Sequence, residues 1–105
     1  INLIKLSTSL TYKKLKFDRR NNTLTNIDNN SVIPLTLIEG NILDILIVEN
    51  NPVTKRLINS KALGQSEGVN SHSIDSHIYR LRKKLLTISS KTKIVANKKG
   101  YYQII

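Results

Sequence analysis

Residues 71 to 87 form the stretch that most constrains the fold of this chain. There and just beyond, apolar residues recur at alternating steps of four and three, at Ile74, Ile78, Leu81, Leu85 and Ile88. This spacing predicts one buried stripe along an amphipathic helix, because an α-helix turns once in about 3.6 residues. The side opposite the stripe carries His72, Ser76, Tyr79, Arg80, Lys83 and Thr87. The sequence therefore predicts a helix with one face in a core and a polar, basic face outside it.

The positive charge of the chain is concentrated towards its C-terminal end. The net charge is +10. Residues 1 to 75 contain nine lysine or arginine residues and all seven acids, whereas residues 76 to 105 contain eight and no acid. Such a field favours binding to a polyanion: DNA, RNA or an anionic membrane surface. A lysine-rich solubilising face is the alternative explanation, and an A+T-rich genome would also enrich lysine.

Length and composition exclude several classes of protein. A chain of 105 residues forms one domain with a modest core. The absence of cysteine excludes disulfides, thiolate zinc sites and a cysteine nucleophile, and fits a reducing compartment. No apolar run reaches the length of about 18 residues that suits a membrane span, and no signal-peptide pattern is present. We therefore expect a soluble chain. Because the sequence does not begin with methionine, we also expect it to be a piece of a longer protein.

Four short β-favouring runs precede the helices. Asn and Asp tolerate left-handed backbone and bond their own main chain, so residues 18–22 and 28–30 predict hairpin turns between these runs. Pro34 cannot donate to a ladder and belongs at a sheet edge or a strand end. The runs, which predict a small antiparallel sheet, are Leu3 to Leu6, Lys13 to Phe17, Thr23 to Ile27 and Ser31 to Leu35.

Two further helices and a hairpin complete the predicted α+β domain. Thr36 and Glu39 form a T-x-x-E capping box at the start of a helix that ends before Pro52, and Gly40 inside this helix indicates close packing. Thr54 can cap a second helix. After a loop at 64–70 and the basic helix, the β-favouring runs Lys93 to Ala96 and Tyr101 to Ile105 flank the turn sequence N-K-K-G.

Three segments of the chain resemble a known family. They are V-I-P-L-T-L-I-E-G-N-I-L from Val32, S-I-D-S-H-I-Y-R-L-R-K-K-L from Ser73 to Leu85, and G-Y at Gly100 and Tyr101. Over about residues 15 to 104 the chain looks like the winged-helix effector domain of OmpR/PhoB-type response regulators. The resemblance implies a winged helix-turn-helix with an N-terminal four-stranded antiparallel sheet, a three-helix bundle and a C-terminal β-hairpin wing.

The resemblance also implies a function. It predicts the effector domain of a bacterial, cytoplasmic transcriptional regulator, with its third helix in the DNA major groove and its wing on the adjacent backbone or minor groove. Residues 1–105 would be one domain behind a receiver or other domain, binding direct repeats as a homodimer or tandem pair. The loop predicted to contact RNA polymerase comprises Gly64, Gln65, Ser66, Glu67 and Gly68. A protein-interaction module, or an architectural module that binds nucleic acid without sequence choice, is the alternative.

The DNA-contacting positions follow from the family's motif, residue by residue. Base-reading positions fall on Ser76 and Arg80, and positions near phosphates on Ser73 and Arg82. Helix geometry independently favours Ser73, Ser76 and Arg80, which lie off the apolar stripe in the N-terminal half of the helix. Arg82 lies closer to the stripe, where Asp75 is an alternative partner. Tyr79 and His72 complete the predicted base-reading set, and Lys83, Lys84, Lys98 and Lys99 complete the predicted phosphate set.

The chain departs from the family's usual pattern at several of these positions. His72 stands where the family usually has arginine, and Tyr79 stands at a position that is often basic. The wing reads V-A-N-K-K-G-Y instead of T-V-R-G-x-G-Y, so Asn97 replaces the wing arginine. We therefore expect Lys98 or Lys99 to supply the cation at the hairpin tip.

Neither an enzyme nor a cofactor site is expected. The sequence has no nucleophile beside a base at recognisable spacing, no glycine-rich phosphate loop and no cluster of carboxylates. His72 and His77 lie about 140° apart on the helix and lack further ligands, so we expect no metal site. No small-molecule substrate is expected either.

Overall fold

The computed structural model of the protein describes residues 8–62, 72–89 and 91–105, with the backbone alone at residues 72 and 73. The predicted winged helix-turn-helix architecture is confirmed, with an N-terminal four-stranded sheet, three helices and a C-terminal strand pair. The elements are β1 (Ser9–Tyr12), β2 (Leu15–Asp18), β3 (Thr23–Asn26), β4 (Val32–Pro34), α1 (Leu37–Glu49), α2 (Lys55–Ala62), α3 (His72–Ile88), β5 (Ile94–Ala96) and β6 (Tyr102–Ile104).

The N-terminal sheet is antiparallel in the order β1-β2-β3-β4. Its register aligns Leu10, Phe17, Leu24 and Ile33 in one row across the four strands. Phe17 and Leu24 are buried in the core shared with the helices, and Leu10 and Ile33 pack against its edge. One face of the sheet is therefore covered by the helices, as alternation of apolar and polar residues requires.

The first described strand covers residues that were not predicted to form one. The predicted strand Leu3 to Leu6 is outside the described residues, and the first observed strand is β1, whose Tyr12 pairs with Leu15. Lys13 and Lys14 form the hairpin turn, although we expected them to begin a strand. Lys13 adopts a φ of 56°. A positive φ is uncommon for lysine, so the sequence did not predict a turn at this residue.

The other turns and caps agree with the sequence. Asn22 and Asn30 close the predicted turns with φ values of 57° and 61°. The capping box of α1 is present, since Glu39 N donates to Thr36 Oγ1 and Thr36 N donates to Glu39 Oε1. Asn50 ends α1 in the left-handed conformation. At α2, Leu57 N donates to Thr54 Oγ1.

The apolar stripe of α3 lies in the centre of the core. Its five residues are at most 4% exposed: Ile74, Ile78, Leu81, Leu85 and Ile88. The C-terminal end of α3 is tied to the sheet, because Asn26 Nδ2 donates to the Ile88 carbonyl at 2.8 Å. Burial of one side of α3 leaves the other side facing outwards.

The C-terminal hairpin is joined to the helices by a pairing that the sequence did not reveal. Val53, between α1 and α2, exchanges two backbone hydrogen bonds with Tyr102 of β6, at 2.7 and 2.8 Å. Both residues belong to the core. The hairpin of β5 and β6 is therefore held against the segment between α1 and α2.

Gly40 should be intolerant of a side chain. A β-carbon there would overlap the Asn22 carboxamide and lie 3.2 Å from Phe17 Cζ. Asn22 cannot yield easily, because its Nδ2 donates to the Leu35 carbonyl at 2.8 Å. We expect Gly40→Ala to lower the free energy of unfolding by about 1–3 kcal/mol, although alanine favours a helix by about 1 kcal/mol.

Chemical denaturation of a double-mutant cycle tests this explanation. Asn22→Gly removes the obstructing carboxamide and suits the positive φ of that residue. The double variant should therefore be more stable than the sum of the two single effects. Simple additivity would show that the contact with Asn22 is not the cause.

Candidate nucleic-acid interface

The outward side of α3 carries three of the residues predicted to read bases, Ser76, Tyr79 and Arg80, and one predicted to contact phosphate, Lys83. Ser76, Tyr79, Arg80 and Lys83 are all exposed. The side chain of Arg80 is 53% exposed, so it is available to a ligand. From residue 76 to the end, no acid occurs in the sequence, and this side of α3 therefore has a positive field.

Two neighbours restrain Arg80 without burying it. Its Nη2 lies 3.2 Å from His77 Nδ1, and its Nε lies 4.0 Å from Glu39 Oε2. Burial and then the charge of Arg80 lower the pKa of His77, and the charge of Glu39 opposes that shift. Since arginine only donates, the contact requires an unprotonated Nδ1 on His77, which the lowered pKa favours.

Glu39 is a fully buried carboxylate that links α1 to α3. Lys84 Nζ donates to its Oε1 at 2.6 Å, beside the capping bond from Thr36 N. Burial opposes ionisation of Glu39, but the bonds from Lys84 and Thr36 outweigh it and lower the pKa of this carboxyl. Separation of Lys84 from Glu39 would leave an uncompensated charge inside the protein, which is costly. The pair therefore holds α3 against α1.

Arg82 and Lys84, both predicted at phosphates, have partners inside the domain. Arg82 Nε donates to the Ile94 carbonyl at 2.9 Å, and its guanidinium lies 5.6 Å from the centre of the Tyr102 ring. The Tyr102 hydroxyl donates to Asp75, which also pairs with Lys55 at 3.1 Å. The sequence offered Asp75 as an alternative partner of Arg82. In the structure, Tyr102 contacts both of these residues.

The tip of the C-terminal hairpin presents two exposed lysines, Lys98 and Lys99. Asn97 Oδ1 accepts from the backbone N–H groups of Lys99 and Tyr101, at 2.9 and 3.0 Å. Gly100 completes the turn at a φ of 82°. The residue that replaces the family's wing arginine therefore shapes the turn, and the lysines supply the charge of the tip.

Part of the predicted site lies outside the described structure. The expected polymerase loop, residues 64–68, is not among the described residues, and neither are the side chains of His72 and Ser73. Within the described ranges, no group of three or more His, Cys, Asp or Glu residues is placed to hold a metal ion. None of the three helices found there combines the length and apolar character needed to cross a bilayer.

Comparisons with known proteins agree with this geometry. Residues 29–102 match the model of a family described as "Transcriptional regulatory protein, C terminal". No curated protein sequence matches the chain. Among solved structures, the DNA-binding domain of response regulator AdeR, in complex with an intercistronic region, is similar with a TM-score of 0.76 at 20% identity, over 90% of this chain and 97% of that one.

Two further structures show the same fold. The Klebsiella pneumoniae RstA DNA-binding domain, in complex with the RstA box, has a TM-score of 0.71 at 22% identity, over 92% of this chain and 96% of that one. A protein described within a family of streptococcal redox sensors evolved from two-component response regulators has a TM-score of 0.76 at 21% identity. The match covers 100% of this chain and 44% of that protein.

Replacing Glu39 by glutamine should separate the charge of this residue from its capping role. Glutamine still accepts from Thr36 N but does not neutralise Lys84. We expect the free energy of unfolding at neutral pH to fall by about 1–3 kcal/mol. Folding lowers the pKa of Glu39, so the ionised carboxylate stabilises the folded protein. This stabilisation is complete above the ordinary carboxyl pKa and is lost as the pH falls through the lowered value.

Urea unfolding of both proteins from neutral to strongly acidic pH measures this difference. The difference in free energy of unfolding between the wild type and Glu39→Gln should become smaller as the pH falls. A difference that stays constant with pH would contradict the electrostatic explanation. Asp28→Asn is the matched control. The ion pair of Asp28 with Lys14 is long, at 3.8 Å, and its side chains are 63% and 67% exposed. Its removal should change stability little at any pH.

Proposed function

The chain belongs to the family of C-terminal effector domains of OmpR/PhoB-type transcriptional regulators, and from this premise we propose that it binds double-stranded DNA with sequence choice. The family is not an enzymatic one, in agreement with the sequence. The observation that carries the proposal is the outward side of α3, where Ser76, Tyr79, Arg80 and Lys83 are exposed opposite a fully buried stripe. A major groove of DNA admits a helix of this kind.

Base recognition falls to the N-terminal half of α3. Arg80 can donate two hydrogen bonds to O6 and N7 of guanine, a contact worth about 1–3 kcal/mol of discrimination. The contacts of Arg80 with His77 and Glu39 restrict its motion before DNA arrives, which lowers the entropy lost on binding. Ser76, Tyr79 and His72 complete the proposed reading set.

Phosphate contacts supply affinity without sequence choice. We assign this role to Ser73, Lys83, Lys98 and Lys99. Arg82 and Lys84 are assigned a different role, because their partners lie within the domain. They hold α3 in place, and their effect on DNA binding is indirect.

The assembly on DNA is proposed from the family. By analogy with the family, the protein would bind direct repeats as a homodimer or tandem pair. Residues 64–68 would contact RNA polymerase, and a receiver or other domain would precede residues 1–105. A regulator of this kind acts in the bacterial cytoplasm. Enrichment from a random duplex library tests sequence choice and repeat spacing together. Failure to enrich any sequence would favour the alternative of a protein-interaction or architectural module.

Arg80→Ala should relax sequence choice. The enriched site should lose about 1–3 kcal/mol of affinity, with the loss confined to one base-pair position in each half-site, while random duplexes bind nearly as before. Fluorescence anisotropy with the enriched and scrambled duplexes measures both. Lys16→Ala is the control, because Lys16 alternates with buried Leu15 and Phe17 and so faces away from the helices. Equal loss on all duplexes would argue against base reading by Arg80.

The double variant Lys98→Ala, Lys99→Ala should weaken binding to all duplexes alike. Each phosphate contact contributes about −0.9 to the slope of log K against log salt, so the slope should become shallower by one to two such contributions. The preferred sequence should not change. An unaltered salt slope would exclude the wing tip from the interface, and a changed A·T preference beside the main site would indicate contact with the minor-groove floor.

A further inference from the structure

Tyr79 is a large aromatic residue that the fold leaves exposed. Its exposed fraction is 57%, although the apolar stripe of the same helix is buried. Successive residues of a helix are about 100° apart, which places Lys83 directly opposite the centre of the stripe. Tyr79 lies about 40° from Lys83 on one side, and Arg80 lies about 60° from it on the other. Tyr79 is therefore at least as well placed to meet a ligand of α3 as Arg80 is.

Lys83 restrains the ring of Tyr79. Its Nζ lies 4.8 Å from the ring centre, one helical turn further along α3. Side chains on a helix lean towards its N-terminus, so the ring projects over Ser76 and the half of α3 that enters a groove. The ammonium covers one ring face and leaves the edge and the other face for contact.

We propose that Tyr79 recognises thymine through its C5-methyl group, while Lys83 contacts a phosphate beside that base. The inference rests on the proposed function, since it requires α3 to lie in the major groove. The C5-methyl is the apolar group that bases present there, and it distinguishes thymine from cytosine. A ring already restrained by Lys83 loses little conformational freedom on contact, and the lysine keeps a positive charge at the groove edge.

Replacement of thymine by deoxyuridine tests the inference, because it removes the methyl group and leaves base pairing intact. Each thymine of the enriched duplex is replaced in turn, and dissociation constants are measured by fluorescence anisotropy. We expect one thymine in each half-site whose replacement weakens wild-type binding about fourfold, the equivalent of burying one methyl group. Tyr79→Ala should abolish that difference, and Tyr79→Phe should retain it because the hydroxyl is not needed.

Leu86→Ala is the matched control. Leu86 is 68% exposed on the same helix but lies in its C-terminal half, so this variant should discriminate thymine from deoxyuridine as the wild type does. Lys83→Gln should reduce the salt slope by about one phosphate contribution. An unchanged slope would overturn the role given to Lys83.

The outcomes separate this inference from the proposed function. If every deoxyuridine duplex binds like its parent while Arg80→Ala still alters sequence choice, the role of Tyr79 is wrong and the function stands. Loss of the methyl dependence in Tyr79→Phe would likewise overturn a methyl contact. If wild-type protein prefers no duplex at all, the proposed function fails and the inference fails with it.

Discussion

The burial of one stripe of α3 is the constraint on which the rest of the molecule depends. Full burial of a large aliphatic side chain stabilises a fold by about 1.5–3 kcal/mol, whereas an exposed ion pair contributes about 0–1 kcal/mol. The five stripe residues therefore decide the rotation of the helix, and its charges do not. Because the side chains of a helix radiate in all directions, burial of this side obliges Tyr79, Arg80 and Lys83 to face outwards.

Polar contacts on the two flanks of the stripe then fix α3 more closely. On one flank Lys84 neutralises the buried carboxylate of Glu39, and on the other Arg82 reaches the Ile94 carbonyl and the Tyr102 ring. The cations of the basic string R-L-R-K-K therefore differ in their surroundings. Arg82 and Lys84 have partners within the domain, and Arg80 and Lys83 are exposed. A buried carboxylate is tolerated only with partners, which makes the α1 cap and α3 depend on each other.

The hairpin shows how the fold accommodates an unusual wing. Val53 and Tyr102 join it to the segment between α1 and α2, and Arg82 of α3 donates to the Ile94 carbonyl of its first strand. Asn97 uses its side chain to close the turn, which leaves the charge of the tip to Lys98 and Lys99. Lysine is a compact point charge without the fork of arginine, and it therefore suits phosphate better than a groove floor.

The sequence by itself determined the features that depend on neighbouring residues. The α3 stripe, the capping box at Thr36, and the left-handed turns at Asn22 and Asn30 all follow from short-range periodicity and hydrogen bonding. Only the tertiary structure decided that the first described strand lies at Ser9–Tyr12, and that Lys84, 45 residues from Glu39, is its partner. Pairing between distant segments depends on how the whole core packs, and neither periodicity nor capping chemistry carries that information.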